Sequence, residues 1–353
     1  MKKALHIYAV NGKSNSGDFL LGPATKYGFE ASIGESVLWT NFDVRKIIKK
    51  EDISFINNFD YVVIGGGGLL LPDTNPNKIS CWQWACHHSL ISLIDSEIHV
   101  YSIGWNHFHN QKITMPNRDN DLEDLERSEI FKKNIEMLIK KSKTFTMRHE
   151  GDCAELKKHI DPNLHNKVKF LFCPVVKYIR EKYRKDFKSG EYVTFEIKDD
   201  RPNRRYVGSS RDNFYDLLHL FILDLNNRGE KVAIMSHDGS CTFINYLRSK
   251  GFNNYIILDN TVANEKKIIK NYSRVKKLYC TAGHSQMTAY ALGLDSYSLI
   301  GHDKLSYFLQ DTQREKKKYG SRIEDLTLEV LLQYFDNKKG DLSSKKKMSE
   351  WLP

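Results

Sequence analysis

The sequence predicts an α/β protein made of two doubly wound, Rossmann-like domains. Three observations carry this reading. Short runs of β-formers alternate with amphipathic helical stretches along most of the 353 residues. The alternation falls into two series, separated by a basic segment near residues 180–191. The length itself exceeds a typical single domain. Strands alternating with helices imply parallel sheets covered on both faces. Ligands of such sheets bind at the carboxyl ends of the strands, so the two domains are expected to face a shared cleft.

In the first series the strand candidates are residues 4–10, 61–64, 98–103 and 144–147, with a polar amphipathic helix over 128–141. The opening apolar stretch is short, contains His6 and meets Asn11, which suits a first strand better than a secretion signal. The second series opens with a strand at 192–197. It continues through helix 213–228, strand 231–236, helix 241–250, strand 255–258, helix 264–272 and strand 277–281. The expected domains are residues 1–185 and 190–312. A C-terminal piece, 313–353, carries a helix at 323–335 and a flexible lysine-rich end that includes 343–347.

Composition narrows the class. A hydrophobic content of 40 % is ordinary for a globular protein, and no apolar run reaches the length of a membrane span. A cytoplasmic protein, at most touching the inner face of the membrane, is expected. The six cysteines show no Cys-x-x-Cys pair, which argues against a zinc ribbon or redox motif. The 82–88 stretch ends in His87 and His88, but adjacent histidines diverge on a helix and no second cluster completes a site, so no metal is expected. Lys and Arg total 54 against 44 Asp and Glu, a net charge of +10 that favours anionic partners. The cations are dispersed and no nucleic-acid motif accompanies them. The densest stretch, 177–188, reads as a solvated surface helix, with a membrane-surface contact as the sharper alternative.

Two motifs carry candidate chemistry. Four β-formers, Tyr61–Val–Val–Ile64, run into Gly65, Gly66, Gly67 and Gly68, which predicts a buried strand ending in a loop whose backbone can approach an anion. No Gly-Lys-Ser/Thr follows, and Leu69–Leu71 and Pro72 replace the helix of a dinucleotide fingerprint. Later, a short strand delivers Thr281, Gly283 and His284 to its carboxyl end, and Ser285 is placed to cap a small-residue helix ending at Gly293. That helix N-terminus favours an anion, and His284 can donate a hydrogen bond or proton. After the first strand, Asn15 and Gly17 precede Asp18, either a base toward a hydroxyl or a helix cap. Arg148 ends another strand and suits carboxylate or phosphate recognition, with an interdomain salt bridge as the competing use.

Taken in order, Asn15-x-Gly17-Asp18, the Asp60–Gly68 run, Met147–Arg148 with Asp152, and Thr281-x-Gly283-His284 resemble the polysaccharide pyruvyl transferases. The stretch from Gly293 to Asp303 and Lys304 is similar to that family's closing strand and Asp-x-Lys-type segment. The likeness runs from about Leu5 to Leu309. It implies a GT-B-like fold and transfer of a pyruvyl group from phosphoenolpyruvate to a sugar hydroxyl, forming a ketal on a cell-surface glycan. It also implies an anionic donor held between the domains near His284, a saccharide acceptor that could be lipid-linked, and no separate cofactor. The resemblance would give proton transfer to His284 and Asp18, and anion binding to Arg148. One departure stands out: the family carries an arginine where this chain has Ala282. Lys198, Arg201, Arg204 and Arg205 could supply the missing charge, or grip the diphosphate of a nucleotide sugar. A metal-independent glycosyltransferase is therefore the second expectation, and a non-catalytic glycan-binding protein the third.

Overall fold

The computed structural model describes residues 1–10, 15–71, 77–106, 108, 124–206, 208–236, 242–261 and 263–337. Cys241 and the 343–347 tail lie outside the described residues. Twelve described strands form two six-stranded parallel sheets. The first contains β1 (Lys3–Tyr8), β2 (Leu38–Asp43), β3 (Tyr61–Leu70), β4 (Glu97–Trp105), β5 (Ser142–Met147) and β6 (Val168–Phe170), in the order β2-β1-β3-β4-β5-β6. The second contains β7 (Tyr192–Glu196), β8 (Lys231–Ser236), β9 (Ile256–Asp259), β10 (Val275–Cys280), β11 (Asp295–Ile300) and β12 (Gly320–Arg322), in the order β9-β8-β7-β10-β11-β12. Strand order therefore reverses between β1 and β3 in one lobe and between β7 and β10 in the other. Those are the crevices where open α/β sheets receive ligands.

The central strands are apolar because they are covered on both faces: Val62, Val63, Ile64, Val193, Phe195 and Leu278 are fully excluded from solvent. The two lobes do not have wholly separate cores. Leu20, Leu21 and Ala24 of the Ser16–Ile33 helix join Val175, Val176 and Ile179 of the Pro174–Tyr183 helix and Met287, Ala289 and Ala291 of the Gly283–Leu292 helix in one cluster. The stretch expected as a solvated helix over 177–188 is accordingly corrected. Its helix is Pro174–Tyr183, half sunk between the lobes, because Val175, Val176, Tyr178 and Ile179 share one face.

Two further readings change. The glycine run is not a loop: β3 continues through Gly65–Gly68 to Leu70, pairing Gly65 with Tyr101 and Gly67 with Ile103 of β4. β1 accompanies β3 only as far as Ile64, so past that point the β1 side of the glycines is open. Gly65 has φ +141°, and a Cβ there would lie 2.2 Å from the Tyr101 carbonyl oxygen, so a larger residue is excluded. His6 holds this turn of strand by donating from Nε2 to the Gly65 carbonyl at 2.7 Å. The C-terminal piece, in turn, joins the second lobe as far as it is described. β12 extends the second sheet, and the Leu328–Asp336 helix places Leu331 and Tyr334 in its core. Among the described residues no helix is long and apolar enough to cross a membrane.

Candidate active site

The carboxyl ends of β1, β3, β7 and β10 converge on a cavity of about 220 Å³ between the lobes. The first lobe contributes Tyr8, Asn15, Asp18, Arg45, Gly66–Gly68, Asn106 and Arg148. The second contributes Lys198, Asp200, Arg201, Arg205, Thr281–His284 and Lys304. Six cationic side chains thus face two carboxylates among the described residues.

Each position follows from local structure. Asn15 caps the Ser16–Ile33 helix, its side-chain oxygen accepting from the amides of Gly17 at 3.0 Å and Asp18 at 3.4 Å. Asp18 is thereby released from the capping role and turns into the cavity. Its burial pushes the carboxyl above the usual range, although Lys198, Lys304, Arg45 and Arg148 pull the other way. Arg148 follows β5 and is 2 % exposed, and its Nε and Nη2 have no hydrogen-bond partner. The guanidinium occupies space left by Gly104, where a Cβ would stand 2.3 Å from Nη2. One turn on, Asp152 is buried, and that burial raises its carboxyl to about 6 against the pull of His149 and Arg148.

In the second lobe, Lys198 follows β7, its amide held by Thr281 Oγ1 at 2.7 Å. Arg201 donates to Asp200 from Nη2 at 2.9 Å and lies 4.7 Å above the Phe108 ring; Arg205 pairs with the same carboxylate. Although burial opposes ionisation of Asp200, Arg205, Lys198 and Arg201 outweigh it and hold this carboxyl below its usual range. Lys304 sits where the clusters meet, its Nζ 3.4 Å from Asn106 Oδ1. Burial, reinforced by Arg148 and Lys198, draws its ammonium well below the usual value. His284 lies in the first turn of the Gly283–Leu292 helix, half-buried at the cavity wall. Gly17 of the other lobe packs against it so closely that a Cβ there would fall 1.9 Å from His284 Nδ1.

The structure thus brings together Asn15, Asp18, Gly66, Gly67, Gly68, Arg148, Lys198, Arg201, Arg205, Gly283, His284 and Lys304 at the cavity, with Gly17 packed against His284. Four expected residues stand elsewhere. Gly65 is buried under His6. Ser285 does not cap its helix: the N-cap is Ala282, and Ser285 is fully buried one position past His284, near Tyr272. Arg204 precedes Arg205 on a helical turn, so the two point about 100° apart and Arg205 reaches the cavity. Asp303 lies 3.6 Å from Arg322, away from the cavity, whereas its neighbour Lys304 lines it. The Gly283–Leu292 helix N-terminus is also not wholly open to a ligand, since the Ala282 amide donates to buried Glu196 at 2.9 Å.

Sequence reasoning missed Arg45, Tyr8, Gln83 and Asn106. Arg45 follows β2, whose largely exposed pattern hides it; the alternation Leu38-Thr40-Phe42 was the available signal. Among the described residues no group of three or more His, Cys, Asp or Glu is placed to hold a metal ion.

Two Rossmann-like lobes closing on a cleft define a GT-B-like architecture. No family model and no curated protein matches the sequence. Solved structures do match. The Methanocaldococcus jannaschii UDP-GlcNAc 2-epimerase, in complex with UDP-GlcNAc and UDP, superposes with a TM-score of 0.52 at 10 % identity, covering 96 % of this chain and 94 % of that one. A Staphylococcus aureus protein, MnaA, solved with UDP, gives 0.53 at 8 % identity, covering 96 % and 89 %. A further UDP-N-acetylglucosamine 2-epimerase gives 0.54 at 10 % identity, covering 96 % and 88 %. At such identities the likeness is one of fold.

Proposed function

We propose that the protein is an enzyme of saccharide chemistry that binds a phosphate-bearing donor in the interlobe cleft. The observation that carries this is the gathering of six cations, Arg45 and Arg148 from the first lobe and Lys198, Arg201, Arg205 and Lys304 from the second, around one cavity that also holds Asp18 and His284. Without an anion these charges repel one another. A bound polyanion offsets that repulsion and draws the Lys304 ammonium back toward its usual value. Arg148 offers a planar fork to a carboxylate or phosphate from the first lobe, and Lys198, Arg201 and Arg205 offer charge from the second. Asp18 suits proton removal from an acceptor hydroxyl, and His284 suits proton donation or a hydrogen bond to a departing phosphate.

A nucleotide sugar is the donor favoured by the fold, because the archaeal and staphylococcal neighbours were solved with UDP in the same architecture. Phosphoenolpyruvate is the second reading. It is favoured by the ordered motifs meeting at this cavity, and by a buried, unpartnered Arg148 suited to a carboxylate. In that reading His284 protonates the methylene carbon while an acceptor hydroxyl, giving its proton to Asp18, bonds the adjacent carbon. A second hydroxyl then displaces phosphate, which leaves with that hydroxyl's proton, closing the ketal.

Thermal-shift and calorimetric titrations with UDP, UDP-GlcNAc and phosphoenolpyruvate test both. Saturation at a hundred times Kd stabilises the fold by about 2.7 kcal/mol. Stabilisation by the nucleotides alone selects the first reading, and by phosphoenolpyruvate alone the second. Binding should be weakened by Arg148→Lys. A protein that none of the three stabilises overturns the proposal.

A further inference from the structure

A second concavity shares no lining residue with the cleft. It is an open groove of about 650 Å³ between the segment leaving the Pro174–Tyr183 helix and the Glu265–Tyr272 helix. Tyr183, Phe187 and Ile269 form its floor, half-buried and packed against the shared core. Lys188, Lys266 and Lys270 stand exposed around it, and none of the three forms an ion pair with a described residue. Lys182 also lines the groove, but its ammonium is engaged by Glu265 at 2.7 Å and by the Tyr178 hydroxyl at 2.8 Å. Asp186 is the carboxylate in the lining. Lys182 also borders a smaller hollow that contains Tyr27, a residue 41 % exposed with its ring edge against Tyr178.

We infer that this groove docks the protein on an anionic lipid surface. The pattern is amphipathic in the way an interface requires: an apolar, aromatic floor for the headgroup–acyl boundary, ringed by flexible cations without partners that can meet lipid phosphates. The positive charge complements such a surface, and the chain's net +10 reinforces the approach. A protein partner of matching size would more commonly present the groove with a broader apolar centre and fewer lysines, which interface cores exclude.

Co-sedimentation with vesicles tests this. The full chain is expected to bind vesicles containing phosphatidylglycerol and to leave phosphatidylcholine vesicles in solution, with binding that fades as salt rises. The triple variant Lys188→Glu/Lys266→Glu/Lys270→Glu should lower partition by at least roughly tenfold. Phe187→Ala should lower it while keeping the salt dependence. The triple variant should melt like the parent, Phe187→Ala a few degrees lower because it loses packing on the shared core, and both should bind cleft ligands unchanged, so failure here is separable from failure of the cleft assignment. Equal binding to both vesicle types, an unaltered triple variant, or retention by heparin but not by vesicles each overturns the inference.

Discussion

Gly17 is where the two lobes touch across the site, and replacing it by alanine separates folding from function. Gly17 lies in the first turn of the Ser16–Ile33 helix, at a backbone conformation any residue adopts. In an exposed helix the change would stabilise by up to about 1 kcal/mol. Here the new Cβ would lie 1.9 Å from His284 Nδ1, 2.3 Å from Cγ and 2.7 Å from Cβ. Ordinary contact begins near 3.4 Å, so the ring must retreat by about 1.5 Å. Rotation about χ1 cannot relieve the whole clash, because the His284 Cβ itself is too near. The Gly283–Leu292 helix, or the lobe carrying it, must therefore move. Overpacking of this kind costs about 1–3 kcal/mol, partly offset by the helix term, so the melting temperature should fall by only a few degrees. A displacement of about 1 Å in a catalytic group costs about a hundredfold in turnover. The expectation for Gly17→Ala is a folded protein with donor binding weakened and turnover reduced by roughly two orders of magnitude. Calorimetry reads the melting, titration with whichever donor stabilises the parent reads the affinity, and release of product from that donor reads the turnover. A variant that keeps parental melting, donor affinity and turnover would refute the reasoning that His284 must hold its place against Gly17.

Three other expectations follow from the same geometry. Burial raises the folded-state pKa of Asp18, so this carboxyl costs stability at neutral pH. Asp18→Asn should raise the melting temperature there, lose the gain below about pH 3.8 where both states are protonated, and abolish turnover; an unchanged or lower neutral melting temperature would sink this. Arg148→Lys keeps the charge but not the fork, and should weaken donor binding by roughly ten- to a hundredfold with little change in the circular dichroism spectrum; parental affinity would count against a bidentate role. Burial pulls the His6 imidazole down to about 3, against the Gly65 carbonyl that favours its proton. Its folded pKa lies below the unfolded one, so its contribution is complete above about pH 6.5 and is lost as pH falls toward 3, by up to about 1.4 kcal/mol per unit. His6→Gln retains a donor for Gly65 and should flatten the melting-temperature profile between about pH 6.5 and 4; an identical slope would exclude His6 as its source.

Much of the fold and part of the site is written locally in the chain. The strand cores at 61–64, 98–103, 192–196 and 231–236 were legible because parallel strands buried on both faces must be continuously apolar. His284 was legible because a strand, a glycine and a small-residue helix specify a strand-to-helix junction, whatever surrounds it. The glycines announced a close approach, although the partner proved to be the Tyr101 backbone and the Leu21 and Thr25 side chains as well as the cleft.

What the tertiary structure alone decided is which side of each element meets the other lobe. Arg205 rather than Arg204, Lys304 rather than Asp303, and His284 rather than Ser285 reach the cavity. Neighbours in the first turn of a helix differ by about 100° in direction, and a linear pattern does not say which of them meets the other lobe. Arg45 enters from a strand too exposed to announce itself, and burial between the lobes, reinforced by Arg148 and Lys198, draws the Lys304 ammonium well below its usual value. Both effects arise from groups far apart in sequence and a few ångströms apart in space. Local physics therefore settles the elements, while burial and long-range charge settle the chemistry of their ends.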